Sequence, residues 1–309
     1  MAPLAFPKVF TTRGTISASG QFVPETARAN LVYGVRACGF AGLQVLFSAS
    51  NSNGALVIPP AGAAFRDHAE LLARHRIEAI SATPTWWRML ISAWPSSVAV
   101  PKLQQATLGG EIVDQPTLDL VDQFFKPTHL THVYATSEAG TAIVVSDRRS
   151  GFPEEWLQDR QRPVLLRIHE YMLEVKSPFR MRGYVNAAEP AANDGWLPTG
   201  DMIATRGGRC YFVGRADQLL NIGGSKVTPE EVEEVLQQGL NSRLPRLWQA
   251  QSIMGTLLAA DIVPAQPGSF DTVALRRKAE QFLAASQGSQ HFRIVTEIPI
   301  SANGKKRRA

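Results

Sequence analysis

The fold of this protein is decided by residues 103–138, LQQATLGGEIVDQPTLDLVDQFFKPTHLTHVYATSE. Two short apolar runs, residues 106–108 and 130–134, lie on either side of a segment with helical spacing at residues 116–125. Strands that are separated by helices of this length are usually joined by right-handed crossovers, which make the strands parallel. The segment therefore predicts a largely parallel sheet that is covered by helices.

The same alternation extends toward the N terminus. We predict a helix at residues 67–75, a strand at residues 77–80 and a further helix after Pro84. Residues 37–65 carry no charge, but polar residues and glycines interrupt their apolar character. We therefore expect buried sheet and loop in that stretch, and no membrane span.

The pattern changes to short extended runs between residues 141 and 213. Examples are residues 165–168 and 172–175, and the region ends in a predicted hairpin that turns at Gly207-Gly208. The hairpin strands are expected at residues 202–205 and 210–213. This pattern of short extended runs predicts a small β subdomain.

A polar segment after Gly214 precedes a helix start. Thr228 can cap the helix, Pro229 suits the first helical position, and Glu231 completes a capping box. A second helix is expected at residues 272–285 and a last strand at residues 292–298. The chain is thus expected to be α/β, with a partial large domain over 1–215 (α/β to about 140, β subdomain over 141–215) and a small α+β domain over 216–309.

Composition limits the classes of partner. Lys and Arg number 32 and Asp and Glu number 27, a net charge of +5, and the basic residues are dispersed except at 305–308. A bound nucleotide accounts for this surplus, so no nucleic-acid partner is expected. The two cysteines, Cys38 and Cys210, fit a reduced compartment and a cytoplasmic location.

Short motifs occur in one order along the chain, and together they resemble the successive signature motifs of the adenylate-forming superfamily, the acyl- and aryl-CoA synthetases and the adenylation domains of peptide synthetases. They are Leu108-Gly109-Gly110-Glu111, Tyr134-Ala135-Thr136-Ser137-Glu138, Pro198-Thr199-Gly200-Asp201, Gly214-Arg215-Ala216-Asp217 continuing to Gly223-Gly224-Ser225-Lys226, and the segment from Pro299 to Arg308.

The first two motifs follow predicted strands, where α/β sheets bind ligands. The resemblance implies that Gly109, Gly110 and Glu111 line the adenine site. It also makes Tyr134 the residue that stacks on adenine and Ser137 a phosphate contact. Without the resemblance, these loops read as ordinary turns.

Glu138 is the magnesium ligand that the resemblance implies, since a carboxylate suits a hard cation. Asp201 offers two acceptor oxygens and is implied to bind the ribose hydroxyls, with Arg215 beside the ribose and phosphate. Asp217 corresponds to the hinge of a rotating C-terminal domain.

The last motifs are implied to serve the chemistry. Gly223, Gly224 and Lys226 correspond to the loop that approaches the thiol acceptor. Lys305 corresponds to the adenylation lysine, because a flexible ammonium neutralises charge that develops at the α-phosphate. Taken alone, the tail reads as a solvated basic segment.

The acid site is less specified. Trp86 and Trp87 follow Thr83-Pro84 where the family shapes its acid pocket; core packing suits at least one of them, and we expect the other to line the pocket. Ala135 replaces a family glycine, and its methyl group is expected to narrow the pocket. An aryl or short acyl acid fits this reading.

The resemblance implies ATP-dependent activation of a carboxylic acid with Mg²⁺, followed by transfer to coenzyme A or to the phosphopantetheine of a carrier protein. The family's phosphate loop, rich in glycine, serine and threonine, is represented only by Pro7-Lys8. Impaired activity of this chain alone is therefore expected. The alternatives are a nucleotide-binding fragment, or one subunit of a split ligase that needs a complementing N-terminal lobe.

Overall fold

The computed structural model describes the chain in segments. These are residues 8–9, 31–34, 40–51, 55–60, 63–184, 194–222, 225–230, 232–233, 242–252, 255–264, 291–296, 298–299 and 305–306, with the single positions 273 and 277.

The first half of the described chain alternates strands and helices. In chain order they are β1 (Lys8–Val9), β2 (Leu31–Gly34), α1 (Phe40–Asn51), β3 (Leu56–Val57), α2 (Phe65–Arg74), β4 (Ala79–Ala82), α3 (Pro84–Ser92), β5 (Gln105–Gly109), α4 (Gln115–Phe125), β6 (His129–Thr136) and β7 (Gly140–Val145).

The second half is mostly extended. Its strands are β8 (Phe152–Pro153), β9 (Leu165–His169), β10 (Met172–Lys176), β11 (Gly183–Tyr184), β12 (Leu197–Arg206), β13 (Arg209–Arg215), β14 (Leu220–Ile222), β15 (Ser225–Val227), β16 (Ser242–Ser252), β17 (Gly255–Pro264) and β18 (His291–Ile294).

A six-stranded sheet in the order β3-β2-β4-β5-β6-β7 forms the α/β region. Its pairs are parallel except for β6 with β7, which is antiparallel. The core that joins this sheet to α2, α3 and α4 is apolar and includes Leu72, Trp87, Leu108, Leu118 and Leu130, each at most 2% exposed. The predicted parallel sheet is confirmed.

Helices α3 and α4 begin where the sequence provides caps. The Thr83 hydroxyl accepts a hydrogen bond from the Trp86 amide, and the Asp114 carboxylate accepts one from the Thr117 amide. In both helices a proline stands in the first turn, where its missing N–H has no partner to lose. Both caps place the helix N-termini at the carboxyl edge of the sheet.

The β subdomain is a five-stranded antiparallel sheet in the order β8-β13-β12-β10-β9. Gly207 and Gly208 turn the β12–β13 hairpin with φ of 58° and 72°, as their sequence predicts. Its core is a separate cluster that includes Phe152, Leu166 and Leu173.

The last described elements form a three-stranded sheet, β16-β17-β18. The sequence reading missed the β16–β17 hairpin, since Pro245 and two arginines interrupt any regular alternation in β16. The last strand ends at Ile294, before the predicted residue 298. Val263 and Ile298 pack against Met89 of α3, which joins this sheet to the α/β region. Of the predicted helix at 272–285, positions 273 and 277 are helical, and the rest lies outside the described residues.

One prediction about the first domain is wrong. Within residues 37–65 the expected buried sheet is mainly a helix, α1, which buries Val45 and Ala49 at 3% exposure each. These two residues are one helical turn apart, and that spacing, not the lack of charge, decides the local structure. The opposite face leaves Leu43, Leu46 and Phe47 about 40% exposed.

Candidate functional site

A cavity of about 1480 Å³ opens where the carboxyl ends of the parallel strands face the β subdomain. We call it the central cavity. Its wall contains most of the described residues that the motifs predict as site residues: Gly110, Glu111, Tyr134, Ala135, Ser137, Glu138, Asp201, Arg215 and Lys305. The fold therefore brings residues of five separate motifs to one place.

Tyr134 and Asp201 form the centre of the wall. The Tyr134 hydroxyl donates to Asp201 Oδ2 at 2.6 Å, and the Tyr134 ring stacks on Phe212 with ring centroids 4.5 Å apart. Burial, followed by the nearby Asp201 charge, raises the pKa of Tyr134 well above 10, so the phenol stays protonated as a donor. Burial also raises the pKa of Asp201 above 3.8, while the Tyr134 hydrogen bond and Arg215 oppose that rise.

Arg215 connects this pair to the start of the next region. Its Nη1 lies 3.4 Å from Asp201 Oδ1, and its Nε donates to Asp217 Oδ1 at 2.9 Å. The hydrogen bond to Asp217 is the main cause that raises the pKa of Arg215. Asp217 is in a 3-10 turn, Ala216–Gln218, between β13 and β14, and its side chain is 64% exposed. That position suits a joint, and the pivoting role of Asp217 stays a prediction.

Gly109 and Gly110 allow close approaches at the end of β5. A Cβ on Gly109 would lie 2.9 Å from the Val133 carbonyl oxygen, which is too near for any side chain. Gly110 has φ of 80°, and a Cβ there would lie 3.5 Å from Lys305 Cε. Lys305 thus reaches the cavity from the end of the chain and lies against the glycine loop.

Glu111 lies in the cavity wall, and the nucleotide contact expected of it stays a prediction. Its Oε2 accepts a hydrogen bond from the Thr85 amide and its Oε1 accepts one from the Lys306 amide, each at 3.0 Å. Both carboxylate oxygens are therefore engaged by backbone groups of the protein.

Ser137 and Glu138 occupy the tight turn between β6 and β7, at the cavity wall. The Ala139 amide donates to Thr136 Oγ1 at 3.0 Å, and the Met181 amide donates to the Glu138 carbonyl at 2.8 Å, which fixes the turn. Among the described residues no group of three or more His, Cys, Asp or Glu could hold a metal ion. The single carboxylate of Glu138 still fits magnesium. With nucleotides, Mg²⁺ usually takes one or two protein carboxylates, and phosphate oxygens and waters supply its other ligands.

The prediction for Trp86 and Trp87 needs correction. Trp87 is fully buried, its Nε1 donates to the Thr107 carbonyl at 3.1 Å, and its ring packs edge-on to Trp86 and Phe125. Trp86 is 5% exposed and packs on Phe65 and His68. Neither tryptophan is among the described residues of the cavity wall, because α3 turns that face toward α2 and α4. Core packing explains both.

Arg88, the next residue along α3, does line the cavity, and the sequence reading missed it. Its guanidinium bonds Asp114 at 2.6 and 2.7 Å and also reaches the Thr117 hydroxyl, and Arg88 is 9% exposed. A single charge within an apolar helix, five residues after the cap Thr83, was the available signal.

His132 was also missed. It lies two residues before Tyr134 on β6, lines the cavity and is 8% exposed. A carbonyl oxygen only accepts, so its Nε2 carries the proton that is donated to the Arg149 carbonyl at 2.9 Å. Burial is the largest influence and lowers the pKa of His132 below 6.5.

The thiol-acceptor prediction is only partly within the described residues. Gly223 and Gly224 lie outside them, while Lys226 is in β15, paired with Asn221 of β14. The role of this loop remains a prediction. No helix in the described part of the chain has the length and apolar character needed to cross a membrane.

The fold and the cavity define an α/β protein whose candidate ligand site lies at the carboxyl ends of its parallel strands. Residues 25–164 match the family model described as AMP-binding enzyme. This match covers 140 of the 309 residues, so over this region the chain is similar to AMP-binding enzymes.

Two curated relatives illustrate the similarity. The sulfoacetate–CoA ligase of Cupriavidus necator is 30% identical over 139 residues, which are 41% of this chain and 26% of that protein. The p-hydroxybenzoic acid–AMP ligase of Mycobacterium marinum is 24% identical over 303 residues, 91% of this chain and 41% of that protein. The chain thus spans less than half of either relative.

Solved structures share the fold. The amide bond synthetase of Marinactinospora thermotolerans has a TM-score of 0.69 at 19% identity. The alignment covers 91% of this chain and 61% of that structure. This likeness shows that the fold is shared over most of the chain.

Proposed function

We propose that this chain supplies the nucleotide site and the catalytic lysine of a ligase that activates a carboxylic acid as an acyl-adenylate and passes the acyl group to a thiol. One observation carries the proposal. Tyr134, Asp201, Arg215 and Lys305 come from distant parts of the chain and meet in the wall of one cavity. The similarity to AMP-binding enzymes supplies the class of reaction.

Each group has a task that its geometry supports. Asp201 accepts hydrogen bonds from the ribose hydroxyls, for which the adjacent Arg215 and Tyr134 hold it in place. One face of the Tyr134 ring lies on Phe212, and the other is proposed to stack on adenine. His132, beneath them in the wall, is held neutral by burial and adds no charge against the base.

The phosphate end is assigned to Ser137, Glu138 and Lys305. Ser137 donates to a phosphate oxygen, and Glu138 would hold Mg²⁺, which neutralises phosphate charge when it is bound. The Lys305 ammonium stabilises the negative charge that grows on the α-phosphate while the carboxylate attacks and pyrophosphate leaves.

The acid is proposed to be aryl or short acyl. Ala135 lines the cavity at a position where its methyl group takes up space, and the relatives named above carry a small sulfonated acid and an aryl acid in their names. The thiol is coenzyme A or a carrier-protein pantetheine, with Gly223, Gly224 and Lys226 proposed to face it.

A second candidate is a protein that binds adenosine nucleotides and turns over only with a complementing lobe, as a subunit of a split ligase. The chain aligns with at most 41% of the length of these two curated relatives. The nucleotide-contacting residues proposed above are the same in both candidates.

ATP–pyrophosphate exchange over a panel of aryl and short acyl acids tests the proposal. The 309-residue chain is assayed alone and with an N-terminal lobe from a related ligase. Exchange that depends on one acid, is lost in Lys305→Ala and persists in Lys102→Ala, an exposed lysine, supports the ligase. Exchange only with the added lobe supports the split-ligase candidate, and absence of exchange in both arrangements contradicts the proposal.

A further inference from the structure

Glu111 joins two parts of the chain that are far apart in sequence. Its Oε2 accepts from the Thr85 amide, and its Oε1 accepts from the Lys306 amide, 195 positions away. Hydrogen bonds to an ionised acceptor are stronger than those between neutral groups. The carboxylate therefore ties the C-terminal segment to the start of α3.

One half of this arrangement is a helix cap. At the start of α3 the Thr83 hydroxyl takes the Trp86 amide, Pro84 has no N–H, and Glu111 takes the amide of Thr85. A negative charge is favourable at this end of a helix. Capping needs only one oxygen of Glu111, so the bond to Lys306 is not explained by the needs of α3.

Lys306 is held a second time through its side chain. Its Nζ lies 2.7 Å from Glu233 Oε2, and the two side chains are only 16% and 6% exposed. Glu233 belongs to the helical turn that follows Thr228, in the C-terminal region. Residue 306 is thus fixed both to the large domain and to its own domain.

The neighbouring residue is the one that the proposed chemistry needs. Lys305 is exposed and approaches Gly110 of the same loop that carries Glu111. The positive charge of Lys305 acts to lower the pKa of Asp201 and so favours the ionised form of that carboxylate. Fixing residue 306 therefore limits where the ammonium of Lys305 can go.

We propose that Glu111 is a positioning residue, a latch that holds the Lys306 amide and so keeps Lys305 in the central cavity. The inference rests on the proposed function of Lys305. Breaking the bond of Glu111 to Lys306 is the step that lets the C-terminal segment leave the cavity.

The peptide bond between Lys305 and Lys306 gives a direct test, because its amide nitrogen is the one that Glu111 holds and trypsin cleaves after Lys305. Glu111→Gln keeps the volume but offers one acceptor oxygen to two amides. Cleavage of an opened segment follows the population that is open. We expect cleavage at this bond to accelerate about tenfold or more in Glu111→Gln, the loss expected for a charge-assisted hydrogen bond. Glu70→Gln, an exposed charge-matched change on α2, should leave the rate unchanged.

Hydrogen exchange measured at two amides distinguishes loss of the latch from loss of the helix cap in the same molecule. The Thr85 amide reports the cap, and the Lys306 amide reports the latch. Loss of protection at Lys306 with intact AMP affinity supports the proposal. Protection that is lost only at Thr85, or a cleavage rate equal to wild type, overturns it.

AMP titration of the wild-type chain keeps the two proposals apart. A wild type that binds no AMP, together with faster cleavage in Glu111→Gln, removes the nucleotide function and leaves the latch. AMP binding with unchanged cleavage removes the latch alone.

Discussion

Tyr134 and Asp201 are 67 positions apart and are joined by a hydrogen bond of 2.6 Å from the phenol to the carboxylate. The bond connects the end of β6 in the α/β sheet to β12 of the β subdomain. It fixes the proposed base-stacking ring and the proposed ribose acceptor relative to each other before any ligand arrives. Preorganisation of this kind lowers the cost of ordering a site on binding.

The ribose assignment predicts a loss of affinity in Asp201→Ala. Removing the paired acceptors should weaken AMP binding by about 10- to 100-fold, since hydrogen bonds to charged groups contribute about 1.5 to 3 kcal/mol. Calorimetric titration measures it. Tyr134→Phe is the matched variant, which keeps the ring and its stacking on Phe212, and its loss should be smaller. An AMP affinity of Asp201→Ala equal to that of the wild type would contradict the assignment of Asp201 to the ribose.

The burial of His132 predicts that the stability of the protein depends on pH. Burial lowers its pKa in the folded state, so the unfolded chain takes up a proton first as the pH falls below 6.5. Stability should therefore fall with decreasing pH from about 6.5 until the folded group also protonates, with a slope of up to about 1.4 kcal/mol per pH unit from this group.

Urea unfolding between pH 5 and 7 tests this slope in wild type and His132→Gln. The variant should lose part of the pH dependence, while the half-buried His68, whose pKa burial also lowers, retains its own share. Parallel stability curves for the two proteins would contradict the prediction.

Arg88 is predicted to be structural as well as part of the cavity wall. Arg88→Met leaves Asp114 and Thr117 without the guanidinium that bonds both, and the side chains of Arg88 and Asp114 are 10% and 25% exposed. We expect the free energy of unfolding to fall by about 2 to 4 kcal/mol. Arg66→Met is the control, because Arg66 pairs with Glu70 on the exposed face of α2 and should cost at most about 0.5 kcal/mol. Equal losses in the free energy of unfolding for Arg88→Met and Arg66→Met would contradict a structural role for Arg88.

Gly214 is predicted to control the docking of the segment that follows it. A Cβ on Gly214 would lie 2.7 Å from Thr228 Cβ and 2.9 Å from Glu230 Oε2, so Gly214→Ala should push that segment away from β13. Limited proteolysis should then cut faster between Arg215 and Lys226, the region proposed as the hinge.

Gly207→Ala is the matched control for this experiment. Gly207 also has positive φ, 58°, but nothing lies within 4 Å of its added Cβ. Gly207→Ala therefore introduces backbone strain but no steric clash of the added Cβ. Equal acceleration in both variants would show that strain alone is responsible, and no cleavage between Arg215 and Lys226 in any variant would argue against a joint there.

The sequence determined the elements whose signals are local. Apolar runs that alternate with helical spacing gave the parallel sheet, and Gly207-Gly208 gave the hairpin. These features depend on neighbours within a few positions, which a linear pattern displays. The order of the motifs gave the resemblance to a known family.

Tertiary structure alone decided which partner each side chain meets. The pattern could show that Trp86 and Trp87 were apolar, but not that α2 and α4 cover both of them. It could show that Glu111 was acidic, but not that amides at positions 85 and 306 would take its two oxygens. It also could not reveal that α1 replaces the expected sheet or that Arg88 reaches the cavity. The physical reason is that burial and hydrogen bonding are satisfied between groups that the fold brings together, and that pairing follows from topology rather than from position along the chain.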